Sequence, residues 1–139
     1  MRICVICPTE LAAAIRTRRL SPVELTAAIL DRIAQLNPKL NAYCTVAPEA
    51  ALAAARQAEA AVMQGQPLRP LHGIPLSFKD LTVTAGIRTT FGSKIFEHHV
   101  PTEDAIVVER VRRAGGIVLG KTNTAEFGCK GVTDNRLFG

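Results

Sequence analysis

Lys79 has the setting from which a lysine can do chemistry. It closes the segment Gly73-Ile74-Pro75-Leu76-Ser77-Phe78-Lys79-Asp80. Apolar and polar side chains alternate there with period two, so Ile74, Leu76 and Phe78 face one way and Ser77 and Lys79 the other. A lysine on a strand is disfavoured unless it is exposed or used. Its ordinary pKa is about 10.4, and burial lowers it by penalising the charged form. A neutral amine can then take a proton from a serine hydroxyl. The plainer alternative is a surface lysine paired with a carboxylate, and Asp80 is adjacent. The chain has three serines. Ser21 stands where a helix cap belongs, Ser93 falls in a loop and Ser77 lies close to Lys79. No G-x-S-x-G elbow occurs.

Other patterns compete for attention. Gly115-Gly116-Ile117-Val118-Leu119-Gly120-Lys121-Thr122 satisfies the phosphate-loop spacing G-x-x-x-x-G-K-T. A true phosphate loop follows a strand and precedes a helix. Here Ile117-Val118-Leu119 reads as the strand itself, and a helix precedes it. We therefore expect Gly120-Lys121-Thr122 to leave that strand at its carboxyl end, without nucleotide binding. Cys4-x-x-Cys7 has redox or metal-pair spacing, and Pro8-Thr9 does open a helix, where a thiolate would be stabilised. A zinc site needs four ligands, which Cys44 and Cys129 could complete only by the accident of folding. Two buried cysteines on a short apolar strand is the simpler expectation. His72, His98 and His99 show no H-E-x-x-H spacing. No metal or cofactor is called for.

The elements around these residues read as follows. Residues 9–20 form a short helix capped by Thr9, with Leu11, Ala14 and Ile15 on one face. Ser21 caps the next helix, Pro22 takes its first position and Glu24 completes a capping box. Leu25, Ile29, Ile33 and Leu36 form its stripe, and Asn37-Pro38 ends it. Tyr43 to Val46 is a short strand. An alanine-rich helix runs from Pro48 to about Gln64, where Gly65 stops it. The Lys79 segment follows; Pro75 cannot donate to a ladder, so that strand lies at an edge or after a kink. Residues 82–101 are irregular. Thr102 caps a further helix, with Val107, Val111 and Ala114 inward, and Ile117–Leu119 is a fully apolar strand of the kind buried in parallel sheets. A last helical turn lies near Ala125-Glu126-Phe127. The order is α/β, with one βαβ unit possible and no division into domains.

Composition sets the bounds. The 139 residues are 47% hydrophobic and 21% charged, with a net charge of +5. That is ordinary for a globular domain. The arginines at 16, 18 and 19 and at 110, 112 and 113 close two helices, where cations complement the helix dipole. No stacking aromatics lie among them, so nucleic-acid binding is not expected. No run approaches the ~20 apolar residues of a membrane span, and the opening lacks a signal-peptide core. A cytoplasmic, reduced setting is expected.

Residues Leu71 to Asp80 resemble the lysine segment of the amidase signature family. The similarity continues through Ala85-Gly86-Ile87-Arg88-Thr89-Thr90, Gly92-Ser93, Val100-Pro101, Asp104-Ala105, Gly115 to Asn123 and Glu126-Phe127. Ser21-Pro22-Val23-Glu24-Leu25 and Leu36-Asn37-Pro38 resemble the family's helical opening. The resemblance covers residues 9–139 and leaves 1–8 outside. It implies the amino-terminal part of that fold, with helices packed on an incomplete mixed sheet. It also implies a Ser–cis-Ser–Lys hydrolase of amides in which Lys79 is the catalytic base. Phe127, Gly128, Cys129 and Lys130 would lie along the pocket of a small amide substrate. Both family serines would come after Gly139, so the chain is expected to be a fragment, inactive alone and inclined to self-associate through exposed sheet edges. A non-catalytic module that associates with a partner is the alternative, and a Cys4-x-x-Cys7 redox or metal module a more distant one.

Overall fold

The computed structural model describes residues 7–139; Cys4, and with it the Cys4–Cys7 pair, lies outside them. Helix α1 (Pro8–Arg16) opens on Cys7 rather than Thr9. The Glu10 carboxylate accepts the Cys7 backbone N–H at 3.3 Å, and the chain leaves the helix at Thr17, four residues early. Helix α2 (Pro22–Leu40) is capped by Ser21, whose hydroxyl accepts the N–H groups of Val23 and Glu24. The return bond that Glu24 would complete with the Ser21 N–H is not formed among the described residues, and the Ser21 hydroxyl also donates to Glu59, on the following helix. Pro38 does not end α2. It lies in the last turn, where one missing N–H is tolerated, and the left-handed Asn41 closes the helix by donating to the Asn37 carbonyl.

Strand β1 (Tyr43–Val46) and helix α3 (Pro48–Met63) fall where the sequence puts them. Strand β2 (Pro75–Lys79) then leads by way of the loop 80–105 to helix α4 (Ile106–Arg113) and strand β3 (Ile117–Thr122). The sheet order is β1-β3-β2, with β2 parallel and β1 antiparallel to β3. This is a mixed sheet carrying one βαβ unit, with the Pro75 strand at an edge. Leu11, Ile15, Leu20, Leu25 and Ile74 form one buried cluster under α1 and α2. Ala51 and Ala55 of α3 meet Ile117 and Leu119 in a second, where small side chains let helix and sheet approach closely.

Two expectations about the second half are corrected. Helix α4 starts at Ile106, not after Thr102, because Asp104 is engaged elsewhere: it accepts the Ala85 N–H at 2.7 Å and pairs with Arg112 at 3.3 Å. The buried residue of α4 is therefore Val108, while Val107 is exposed. Strand β3 does not release Gly120-Lys121-Thr122; all three remain in it. The register slips between Leu76↔Val118 and Phe78↔Lys121, so an extra β3 residue bulges there. The bulge lets the strand continue while keeping Val118 and Lys121 on the face of Leu76 and Phe78.

Candidate active site

Strand β2 brings Lys79 to the carboxyl end of a parallel strand pair, directly opposite Thr122, which in turn faces Tyr43. The row Tyr43–Thr122–Lys79 thus crosses all three strands. Ser77, two residues earlier on the Lys79 face, joins this row: its hydroxyl lies 2.6 Å from that of Tyr43, across β3. The Lys79 side chain is exposed, not buried as the neutral-amine reading assumed, and has no ion-pair partner among the described residues. Asp80 is not its partner. The Asp80 carboxylate points inward, 1% exposed, and accepts the Thr90 N–H at 3.1 Å and the Thr90 hydroxyl at 2.5 Å. Its backbone N–H donates to Thr122 at 2.9 Å and its carbonyl accepts from Phe91 at 3.0 Å. Asp80 therefore fixes the strand end from which Lys79 projects.

The segment after β3 returns to the same place. The Phe127 N–H donates to the Phe91 carbonyl at 2.8 Å. A Cβ added at Gly128 would stand 2.7 Å from Leu81 Cδ1, so this glycine lies against the residue two beyond Lys79. Phe91 and Phe127 both hold left-handed backbone, at φ 55° and 49°, and their rings stack at 6.5 Å. Phe127, Cys129 and Lys130 are exposed, and Lys130 pairs with Asp134. Phe127 and Gly128 are thus brought beside the Lys79–Leu81 segment; no contact of Cys129 or Lys130 ties them to it.

The other serines are occupied. Ser21 caps α2, and the buried Ser93 caps the short 3₁₀ turn Lys94–Phe96. His72 Nε2 meets the Ala58 carbonyl at 2.9 Å, while His98 and His99 are exposed. Cys7 is exposed rather than buried, and its thiol pKa is lowered by the hydrogen bond with the Thr9 hydroxyl. Among the described residues no group of three or more His, Cys, Asp or Glu side chains is placed to hold a metal ion.

Lys121, which the phosphate-loop pattern singles out, is 0% exposed. Its ammonium donates to the hydroxyls of Thr84 and Thr89, each at 3.0 Å, and to the Thr82 carbonyl. All three of its donors are used, so no phosphate could be held by it. Sequence reading missed this network. The signal was available in the threonines at 82, 84, 89 and 90, a hydroxyl-rich loop facing a lysine on an apolar strand. Burial pulls the Lys121 pKa down to about 8, against the opposing pull of Asp80, Cys44 and Asp104. Burial, then Asp80, pushes the Cys44 thiol up to about 12.

These two shifts have opposite signs in stability. Between pH 8 and 10.5 the unfolded chain holds a Lys121 proton that the folded one has released, so stability rises with pH. Between pH 9 and 12 the folded chain keeps a Cys44 proton that the unfolded one has lost, so stability falls. Urea midpoints should therefore rise from about pH 8 to about pH 9 and then level off. Lys121→Met should remove the rise, and a flat profile in the parent chain would contradict the assignment.

Known proteins were compared against this geometry. The family model described as Amidase matches residues 24–139. The A subunit of glutamyl-tRNA(Gln) amidotransferase from Dehalococcoides mccartyi is 47% identical over 124 residues, covering 89% of this chain and 25% of that protein. An acylamidase from Rhodococcus erythropolis is 43% identical over 131 residues, 94% of this chain and 28% of that one. The solved peptide amidase from Stenotrophomonas maltophilia superposes with a TM-score of 0.85 at 36% identity, covering 91% of this chain and 26% of that one. The chain thus spans about a quarter of the length of these relatives. No described helix is long and apolar enough to cross a membrane.

Proposed function

The chain belongs to the amidase family, and from that premise we propose that it carries the base of an amide-hydrolysing site, with Lys79 as that base. The observation that carries the reading is the placement of Lys79. It projects, unpaired, from the carboxyl end of a parallel strand, where ligands of open α/β sheets bind, and the inward-turned Asp80 holds that strand end still. Phe127 and Gly128, with Cys129 and Lys130 beyond them, form one wall for a small amide substrate. No cofactor enters this chemistry.

Each step needs more than a base. A serine must attack the carbonyl carbon, a second must relay its proton to Lys79, and donors must hold the oxyanion. Ser21, Ser77 and Ser93 are engaged as caps or with Tyr43, so the attacking serine comes from outside residues 1–139. Purified 1–139 is expected to show no amide turnover above buffer. It is also expected to self-associate through its open sheet edges, which light scattering would register.

Joining 1–139 to the remaining three-quarters of the Rhodococcus acylamidase tests the reading directly. Such a chimera should hydrolyse simple aliphatic or aromatic amides, and Lys79→Ala should lower its rate by at least about a thousandfold. A chimera indifferent to Lys79→Ala would end the proposal. Turnover by monomeric 1–139 itself, abolished by Lys79→Ala, would place the nucleophile among its own serines.

A further inference from the structure

The buried Lys121 ammonium is not used by the chemistry above, yet every bond it makes falls on the loop that leaves Lys79. Thr82 is three residues beyond Lys79, and its own N–H donates back to the Lys79 carbonyl at 2.9 Å. Thr84 and Thr89 bracket the turn where Ile87 N–H meets the Thr84 carbonyl at 3.1 Å. Thr90 follows at once and is the residue held by Asp80. One cation and one carboxylate, both buried, thus gather 80–90 under β3 from opposite ends.

We propose that Lys121 is a positioning residue for Lys79: its ammonium ties the loop 82–89 to β3 and so fixes the end of β2 that presents the base. This rests on the assignment of Lys79 made above. A buried lysine bonded to a carbonyl and two hydroxyls, with no carboxylate in direct contact, is a costly way to fill a core. A methionine of similar length would fill the same space without desolvating a charge. What the ammonium adds is direction, because three donors from one atom bind three points of an otherwise irregular loop. The groups whose charge it senses are Asp80 at the end of β2 and Asp104 ahead of α4, while Cys44 in β1, its thiol pushed up to about 12, stays neutral beside them. Arg88, bonded to the Cys44 carbonyl at 3.1 Å, stands beyond Cys44. These come from every element around it, so its protonation is felt at the Lys79 strand end.

The test needs no turnover, and so stands apart from the chimera. In the 139-residue chain with isotope-labelled lysine and backbone, NMR should show the amides of residues 79–90 moving with one midpoint, shared with the Lys121 side chain. In Lys121→Met the shared inflection should vanish, and the amides of Thr82, Ile87, Thr89 and Thr90 should exchange at least about tenfold faster while helix α2 stays protected. Should Lys121→Met fail to fold, the pair Thr84→Val and Thr89→Val keeps the lysine and the shape but removes two acceptors, and should give the same loss of loop protection. Unchanged exchange at 82–90 in a folded variant, with the Lys79 amide unmoved, would reduce Lys121 to core filling and overturn the proposal. If these results hold and the chimera ignores Lys79→Ala, the positioning is real but the base is misassigned.

Discussion

Gly120→Ala is expected to unpair β1 from β3 and remove a large share of the chain's stability at 25 °C. A Cβ at this position would stand 2.2 Å from the Thr45 carbonyl oxygen and 2.9 Å from Val46 Cα. Both atoms belong to backbone, so no side chain can swing away. The glycine also holds φ 151°, a conformation that L side chains rarely adopt. Overpacking and backbone strain each cost about 1–3 kcal/mol, and here they act together on a strand at the centre of the sheet. The molecule relieves this by separating β1, which would expose Ile117 and Leu119 at the α3 contact. Urea unfolding should show a loss of at least about 3 kcal/mol, or no cooperative transition at all. A variant within about 0.5 kcal/mol of the parent would show that the bulge is not as tight as described.

Asp80→Ala is the second large effect. It removes the acceptor of the Thr90 N–H and hydroxyl, both buried, and it removes the anion that holds the Lys121 charge up against burial. Breaking a buried charged arrangement by deleting one partner costs about 3–5 kcal/mol, a large share of the 5–15 kcal/mol typical of a whole domain. Asp80→Asn should cost less, because the amide oxygen still accepts one bond. Thermal melts of the two variants would rank them, and equal melting temperatures for Asp80→Ala and the parent would contradict the account. The Lys121 pKa should fall further in either variant, since the largest force opposing burial is gone.

What the sequence disclosed follows from how local each signal is. Ser21-Pro22 sets a helix start by two adjacent residues, and the Gly73–Asp80 alternation sets a strand and its faces by its own period. Both are found where expected, as is the parallel pairing of β2 with β3. What escaped depends on partners remote in sequence. Asp104 reads as a helix-start residue until Ala85 and Arg112 claim its two oxygens. Gly120-Lys121-Thr122 reads as an exit from the strand, because a bulge has no signature until the neighbouring strands fix the register. Lys121 reads as a solvent-seeking or phosphate-seeking group because its acceptors lie between 32 and 39 residues away. The period-two alternation put Lys79 at the end of a strand, as found; its exposure goes with Asp80 turning inward, which depends on Thr90 ten residues on.

Asn37 has a consequence for how copies of this chain could meet. Its side-chain amide accepts the Tyr43 N–H at 2.7 Å and donates to the Tyr43 carbonyl at 2.9 Å, the two bonds a neighbouring strand would make. Arg88 takes the Cys44 carbonyl beside it. The outer rim of β1 is therefore half filled by the chain's own side chains, while on β2 Pro75 offers no N–H at one end and the Thr82 N–H takes the Lys79 carbonyl at the other, leaving the middle uncapped among the described residues. Growth by edge pairing then has one open direction. Two molecules that met β2 to β2 about a twofold axis would each turn the more occupied β1 rim outward, which favours a pair over a fibre.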